Sequence, residues 1–252
     1  MQVTISGSGP DLVLVHGWGM NAQVWDEIAT YLAGQFRVHC VDLTGYGRSV
    51  AIDPYTLDAL VDGVAAACPP RATVCGWSLG GQVALRWAVR HPGQIERLVL
   101  IATTPRFVRA PGWENGMEPA VFDAFARAVA NDTHEALLRF IQLQAQGDTA
   151  ARKVTRLLRA CLAAQAAPAV AALTAGLQIL KNADLRADLP GIAQPVLIVH
   201  GEHDTLVHAG AAEYLQRMLP RATLETIAGV AHAPFVTRPQ AMARRIAEFC
   251  HG

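Results

Sequence analysis

Short apolar runs alternate with helix-like segments along this chain, and this alternation restricts its fold more than any other feature. The runs are typical of buried parallel strands, which are apolar throughout because both of their faces are covered. They lie at residues 12–15, 38–41, 73–75, 98–102, 195–199 and 224–227. Between them, helical patterns lie at residues 21–33, 57–67, 79–90, 209–219 and 239–250. The alternation predicts an α/β fold with a mostly parallel central sheet, helices on both faces, and ligands outside the carboxyl ends of the strands.

The alternation stops after Ile101 and resumes near residue 195. In the intervening segment the pattern is helical only, with candidate helices at residues 121–130, 134–144, 150–164 and 169–180. We therefore predict a four-helix cap inserted over the active end of the sheet. On this interpretation residues 1–104 and 190–252 form the core domain, and residues 105–189 form the cap.

Composition argues against a disordered chain and against a nucleic-acid-binding protein. Of 252 residues, 52% are hydrophobic and 17% are charged, which is enough apolar surface to bury a large core. Lysine plus arginine number 21, as do aspartate plus glutamate, so the formal net charge is zero. Because there is no overall basic excess to neutralise phosphates, we do not expect nucleic acid to be a partner.

Several features are typical of a cytoplasmic protein. The five cysteines include no CxxC pair, which favours reduced thiols. The first residues, MQVTISGSGP, contain neither a basic stretch nor an apolar run, so we expect no signal peptide. Residues 160–180 are almost uncharged, but they are rich in alanine and are interrupted by Gln165, Pro168, Thr174 and Gln178. We predict two buried helices there rather than a membrane span.

The motif with the clearest chemical meaning is GWSLGG at residues 76–81, between an apolar strand and a helix. It matches the G-x-S-x-G pattern of a nucleophile elbow, in which flanking glycines let a sharp strand-to-helix turn close. The N-terminus of the following helix directs free N–H groups toward developing negative charge. We predict that Ser78 is a nucleophile rather than an ordinary helix cap.

A serine hydroxyl is a weak nucleophile until an oriented base removes its proton. With this elbow, the expected chain order is serine, then acid, then histidine. Asp204 follows the strand at 195–199, and His232 follows the strand at 224–227. Because the carboxyl ends of parallel strands meet at one edge of a sheet, both side chains are expected to converge on Ser78. Glu202, two residues before Asp204, is the competing acid.

An oxyanion hole needs a second N–H donor from a loop after an early strand. HGWG at residues 16–19 follows the strand at 12–15 and suits this position. We predict that the backbone N–H groups of Trp18 and Leu79 bind the oxyanion, that Trp18 also walls the acyl pocket, and that His16 shapes its loop.

Other potentially reactive residues receive simpler interpretations. Cys75, in the strand before the elbow, is expected to be a small core residue. A cluster of histidines and acids superficially resembles a metal site: His200, Glu202, His203, Asp204 and His208. A strand end and a loop would not bring them together as one face of a helix does, so we predict no metal and no cofactor.

Several longer segments resemble the α/β-hydrolase superfamily and, more narrowly, the family of pimeloyl-[acyl-carrier protein] methyl ester esterases of biotin synthesis. They are HGWGMNAQVW at 16–25, GWSLGG at 76–81, RFIQLQ at 139–144, GLQILK at 176–181 and AHAPF at 231–235. The elbow and HGWG mark only the superfamily. The two cap segments discriminate better, because caps vary most among these enzymes.

The resemblance implies a serine carboxylesterase that converts the methyl ester of pimeloyl-[acyl-carrier protein] to the free acid and methanol through an acyl-enzyme. It implies substrate contacts at Trp18, Ser78, Leu79, Phe140, Ile141, Gln142, Leu143, Gln144 and His232. It also places carrier-protein docking at Arg139, Arg152 and Arg156, in a segment (127–159) with six basic and three acidic residues. A solvated helix face is the alternative interpretation of these arginines. We further expect a monomer.

Three functions remain open at this point. The first is the carrier-protein methyl ester esterase. The second is a general short-chain carboxylesterase, or another capped hydrolase such as a carbon–carbon bond hydrolase, that acts on a small free substrate. The third is a binding protein that has the fold but no catalysis, which the complete set of candidate catalytic residues disfavours.

Overall fold

A seven-stranded sheet forms the centre of the molecule in a computed structural model that describes residues 1–164 and 168–252. The strands are β1 (Gln2–Ser6), β2 (Asp11–Val15), β3 (Arg37–Asp42), β4 (Ala72–Trp77), β5 (Ile95–Ile101), β6 (Val196–Gly201) and β7 (Ala222–Ile227). Their order is β1-β3-β2-β4-β5-β6-β7. Only the β1–β3 pair is antiparallel among these strands, so the mostly parallel sheet is confirmed.

The helices connect these strands in the predicted order. They are α1 (Asp26–Leu32), α2 (Leu57–Ala67), α3 (Leu79–Arg90), α4 (Pro119–Asn131), α5 (Thr133–Ala145), α6 (Ala151–Ala163), α7 (Val170–Asn182), α8 (Ala209–Met218), α9 (Pro234–Thr237) and α10 (Pro239–His251). The predicted helix at 21–33 is in fact a 3-10 turn (Ala22–Trp25) followed by α1. The short helix α9 was not predicted.

The sequence pattern does not predict β1, and its position explains why. It lies at the edge of the sheet and is mostly exposed, with Ile5 57% exposed. An edge strand whose side chains are largely exposed to solvent does not need a continuous apolar run. The other strands lie within the sheet or form its opposite edge, and the predicted runs mark each of them.

Apolar side chains fill the space on both faces of the sheet. Successive residues of a strand point to opposite faces. Accordingly, Val13 and Val15 of β2 enter one apolar cluster, while Leu12 and Leu14 enter the other. All four side chains are fully buried. The sheet is therefore covered on both faces, and the loops at the carboxyl ends of its strands begin from a tightly packed core.

Four helices, α4 to α7, lie between β5 and β6 along the chain. Helix α4 packs on α5 and α7, and α5 packs on α6. The alanine-rich run at 160–180 contains the end of α6 and most of α7, while its residues 165–167 lie outside the described residues. Within the described ranges, no helix has the length and apolar character needed to span a membrane. The division of the chain into core and cap stays a prediction.

Candidate active site

The turn between β4 and α3 presents Ser78 in a strained conformation. Ser78 has φ 55° and ψ −116°, a backbone conformation that residues other than glycine rarely adopt. A Cβ on Gly76 would collide with the carbonyl of Gly80, and a Cβ on Gly80 would collide with the carbonyls of Val15 and His16. Both positions therefore require glycine, which is the physical basis of the sequence motif.

The predicted acid and base are hydrogen-bonded to each other. His232 Nδ1 lies 2.8 Å from Asp204 Oδ2, and the two side chains are 2% and 0% exposed. Asp204 Oδ1 accepts hydrogen bonds from the backbone N–H groups of Leu206 (2.9 Å) and Val207 (3.0 Å). Burial alone would raise the pKa of Asp204, but His232 and the hydrogen bonds hold that pKa below its ordinary value. The ionised Asp204 orients the imidazole with its Nδ1–H toward the carboxylate and its Nε2 free.

The competing acid has a different partner. Glu202 Oε2 accepts a hydrogen bond from the backbone N–H of Gly229 at 2.8 Å, and its side chain is 52% exposed. Its neighbour His203 bonds through Nδ1 to the carbonyl of Gly147 at 2.7 Å. The structure thus pairs His232 with Asp204 and uses Glu202 to hold the loop before the histidine.

The loop after β2 lies directly against Ser78. A Cβ on Gly17 would be 3.3 Å from the Cβ of Ser78. Among residues 1–164 and 168–252, no partner accepts a hydrogen bond from the backbone N–H of Trp18 or Leu79. Leu79 is also the first residue of α3, where a helix carries partial positive charge. The two predicted donors are thus available to a ligand beside Ser78.

His16 fixes the shape of this loop, as predicted. Its Nδ1–H donates to the carbonyl of Gly17 (2.8 Å), and its Nε2 accepts from the backbone N–H of Leu43 (3.0 Å). Complete burial lowers the pKa of His16 to about 4, so the imidazole is neutral near pH 7. A neutral ring with its proton on Nδ1 is the form that satisfies both neighbours.

Ser78 and His232 open onto one narrow cavity of about 60 Å³. Three aromatic rings in its walls pack against one another. The ring of Trp18 meets those of Phe140 and Phe125 edge to face, with ring centroids 5.1 and 5.5 Å apart. The rings of Phe125 and Phe140 are tilted, with centroids 5.5 Å apart. The remaining walls are also apolar, formed by Phe107, Met117, Val121, Phe122, Leu143, Leu177, Leu180 and Leu206. The cavity therefore suits an uncharged, slender chain attached to a reacting group at Ser78.

Comparison with known proteins identifies the family. The model of the alpha/beta hydrolase family matches residues 12–245. This chain belongs to that family. The solved esterase EaEST from Exiguobacterium antarcticum (22% identity) superposes on this hydrolase with a TM-score of 0.88. The alignment covers 99% of this chain and 95% of the esterase. The enol-lactonase from Burkholderia xenovorans (23% identity) has a TM-score of 0.86, with 100% and 96% covered. At these identities the solved structures establish the fold alone.

Sequence relatives of the hydrolase confirm the narrower resemblance. It is 43% identical to a pimeloyl-[acyl-carrier protein] methyl ester esterase from Nitrosomonas europaea, over 95% of this chain and 95% of the relative. It is 41% identical to the protein of the same name from Stenotrophomonas maltophilia, over 99% and 96%. The likeness therefore extends through the helices between β5 and β6 as well as the sheet.

The structure divides the predicted substrate-contact segment of α5 between two faces of the helix. Phe140 and Leu143 line the cavity. Ile141 instead packs in the apolar cluster that contains Leu12 and Leu14, and Gln142 is exposed. Gln144 is buried, and its carbonyl accepts the backbone N–H of His232 at 3.2 Å. Helical geometry explains the split, since neighbouring residues of a helix point about 100° apart.

The predicted docking arginines are on the surface of the hydrolase. Arg139, on α5, is 70% exposed and pairs with Glu135 at 3.1 Å. Arg152 and Arg156, on α6, are exposed, form no ion pair within the described residues, and line a shallow groove with Arg159. A free basic stripe on one helix is available to an acidic partner.

Sequence reasoning missed several residues of the site. Trp77 Nε1–H donates to the carbonyl of His232 at 2.8 Å and so fixes the histidine backbone. On α4, Val121, Phe122 and Phe125 supply much of the cavity wall. Their spacing on one helical face was a usable signal for the wall, whereas a bond from an indole to a distant backbone carbonyl leaves no pattern in the sequence.

Proposed function

We propose that this hydrolase is a serine carboxylesterase that converts the methyl ester of pimeloyl-[acyl-carrier protein] to methanol and free pimeloyl-[acyl-carrier protein]. The observation that carries the proposal is the buried His232–Asp204 pair, which opens with Ser78 onto an apolar cavity. The choice of substrate is supported by relatives of 43% and 41% identity that carry this name and align over nearly the whole chain.

In the first step Ser78 Oγ attacks the ester carbonyl while His232 Nε2 takes its proton. A bond forms between Oγ and the carbonyl carbon, and the carbonyl oxygen becomes an oxyanion. The N–H groups of Trp18 and Leu79 bind this oxyanion, and one such donor is worth about 3 kcal/mol in the transition state. Asp204 stabilises the imidazolium. His232 then protonates the methoxide as the carbon–oxygen bond breaks, and methanol leaves.

The second step releases the acid. Water attacks the acyl group on Ser78 while His232 Nε2 accepts a proton from it. The second oxyanion occupies the same two N–H donors, and collapse of this intermediate returns the proton to Ser78 Oγ. The product carries a new carboxylate within apolar walls. Because an unpaired carboxylate is costly to bury, the product is expelled readily.

The cavity walls also favour the distal ester over the carrier thioester. We expect a chain of methylene groups to lie along the aromatic and aliphatic walls, with the methyl ester at Ser78. Val121 and Leu143 line the cavity and are 57% and 41% exposed, so they mark its mouth. We infer that the thioester stays at this mouth, away from the nucleophile, because the acyl chain sets the distance between the two groups.

Carrier docking is assigned to Arg139, Arg152 and Arg156. An acyl-carrier protein is acidic, and complementary charge accelerates and orients association. The unpaired stripe of Arg152 and Arg156 supports this assignment more strongly than Arg139, whose guanidinium is engaged by Glu135.

Replacing the nucleophile tests the esterase activity itself. The variant Ser78→Ala is expected to lose hydrolysis of p-nitrophenyl acetate while keeping the fold, because alanine lacks the attacking oxygen. Wild-type-like turnover by this variant would refute the mechanism. Wild type, but not this variant, should restore growth without biotin to a bacterium that lacks its own methyl ester esterase.

The substrate is tested by charge reversal on α6. In Arg152→Glu/Arg156→Glu we expect kcat/KM for carrier-bound pimeloyl methyl ester to fall at least tenfold at low salt, with free pimeloyl methyl ester unaffected. Arg217→Glu/Arg244→Glu is the matched control, since both arginines are exposed and lie on α8 and α10. Equal efficiency on the two substrates, unchanged by the α6 variant, would favour the general short-chain carboxylesterase.

A further inference from the structure

A buried carboxylate outside the Ser78–His232–Asp204 set ties the segment between α5 and α6 to the histidine loop. Asp148 lies in that segment and is 7% exposed. Its Oδ2 accepts the backbone N–H of Ala231 at 2.8 Å and the hydroxyl of Thr237 at 2.8 Å. Its Oδ1 accepts the backbone N–H of Ala150 at 2.7 Å, just before α6 begins. One carboxylate thus accepts hydrogen bonds both from the start of α6 and from the residue before the catalytic histidine.

Backbone hydrogen bonds on either side of Asp148 reinforce the same junction. The N–H of Thr149 donates to the carbonyl of Gly229 at 2.9 Å, and the N–H of His232 donates to the carbonyl of Gln144 at 3.2 Å. The segment 144–149 therefore runs along the loop 229–232 and bonds to it at three points. Asp148 contributes the charged acceptor, and a hydrogen bond to a charged group is roughly twice as strong as a neutral one.

We propose that Asp148 is a positioning residue for His232. The carboxylate holds the backbone N–H of Ala231, the residue before His232, and Trp77 holds the backbone carbonyl of His232 through its indole N–H. Without Asp148, the Ala231 N–H would lose its buried acceptor and the loop would shift to reach water. A displacement of about 1 Å lowers the rate of a positioned reaction about a hundredfold. The proposal rests on the proposed function in one respect, that His232 is the general base.

Two substitutions at the same position separate positioning from stability. In Asp148→Asn the amide oxygen can still accept from Ala231 and Thr237, but the amide N–H₂ faces the N–H of Ala150, so only the start of α6 is weakened. In Asp148→Ala both connections are lost. We expect both variants to have a lower Tm. We expect kcat for p-nitrophenyl acetate to stay within about threefold of wild type in Asp148→Asn and to fall about ten- to hundredfold in Asp148→Ala, with KM within about twofold in each.

A matched control is available on the neighbouring helix. Asp132 caps α5 by accepting the backbone N–H of Glu135 at 3.0 Å. Its carboxylate accepts a backbone N–H at the start of a helix, as that of Asp148 does, but it bonds within its own helix and not to the histidine loop. Asp132→Ala should therefore lower the Tm and leave kcat unchanged.

The proton in the hydrogen bond between His232 and Asp204 reports directly on the position of the imidazole. Its low-field NMR resonance should move or broaden in Asp148→Ala and keep its wild-type position in Asp148→Asn and Asp132→Ala. A kcat for folded Asp148→Ala within twofold of wild type, with an unmoved resonance, would overturn the proposal. So would equal kcat losses in Asp148→Asn and Asp148→Ala.

Thr237→Val keeps the test decisive if Asp148→Ala does not fold. It removes one donor to Asp148 Oδ2 and leaves Ala231 in place. We expect kcat to fall about threefold with a small shift of the same resonance, and an unchanged kcat and resonance would count against Asp148. Failure of the esterase function itself would appear instead as retained activity in Ser78→Ala, which no Asp148 result mimics.

Discussion

The buried imidazole of His16 makes the stability of this hydrolase depend on pH. Burial lowers the pKa of His16 to about 4, although the Gly17 carbonyl and the charge of Asp42 favour the protonated form. In the unfolded chain the same imidazole titrates near pH 6.5. Between these two values the unfolded state binds the additional proton. Stability therefore rises with pH through this window and is lost as the solution is acidified from pH 6.5 toward pH 4.

The magnitude follows from the two pKa values. Each unit of difference corresponds to about 1.4 kcal/mol, so a fall from 6.5 to about 4 corresponds to about 3 kcal/mol of unfolding free energy. This is a large part of the 5–15 kcal/mol that is typical of a folded protein. Protonation of Nε2 would also remove the acceptor of the Leu43 N–H and release the loop that carries Trp18.

The assay is urea unfolding of wild type and His16→Gln at pH 7.5, 6.5, 5.5 and 4.5. Glutamine offers an amide oxygen to Leu43 but does not titrate. We expect the variant to be less stable at pH 7.5 and the difference from wild type to shrink by about 3 kcal/mol toward pH 4. The titration of groups that do not interact with His16 cancels in this difference. A difference that stays constant across the series would refute the reasoning.

Two further predictions concern the acid and the cavity wall. Asp204→Asn should keep the fold, since its amide oxygen still accepts from the loop, and should lower kcat by about four orders of magnitude because the tautomer of His232 is wrong. Glu202→Gln is its control and should stay within twofold, and kinetics with p-nitrophenyl acetate measures both. Phe140→Leu should lower kcat and also broaden the range of acyl-chain lengths that the hydrolase accepts. Phe122→Leu should broaden this range without lowering kcat. Kinetics with a series of methyl esters of different chain length would measure both effects. Equal kcat values in the two phenylalanine variants would contradict this last expectation.

The sequence is sufficient to predict the positions of Ser78, Asp204 and His232, because each follows a strand that its apolar run marks. Parallel strands align their carboxyl ends, so the order of strands and the motifs together imply where these side chains meet. Asp148 shows why the rest could not be predicted. Its partner Ala231 is 83 residues further along the chain, and the contact is to a backbone N–H that any residue except proline supplies. The same reason applies to Trp77 and the carbonyl of His232.

Helix α5 links the cavity wall to His232, and this link restricts how the specificity of the hydrolase can change. The helix supplies Phe140 to the wall and the carbonyl of Gln144 to the backbone N–H of His232, and Asp148 follows just beyond its end. Packed helices move as units, so a substitution that repacks α5 around a different acyl chain also moves the peptide that carries His232. Helix α4 supplies Phe122 to the same wall without a hydrogen bond to the histidine loop among the described residues. Changes of substrate that preserve the rate are therefore expected on α4, and changes on α5 need compensation at the histidine loop.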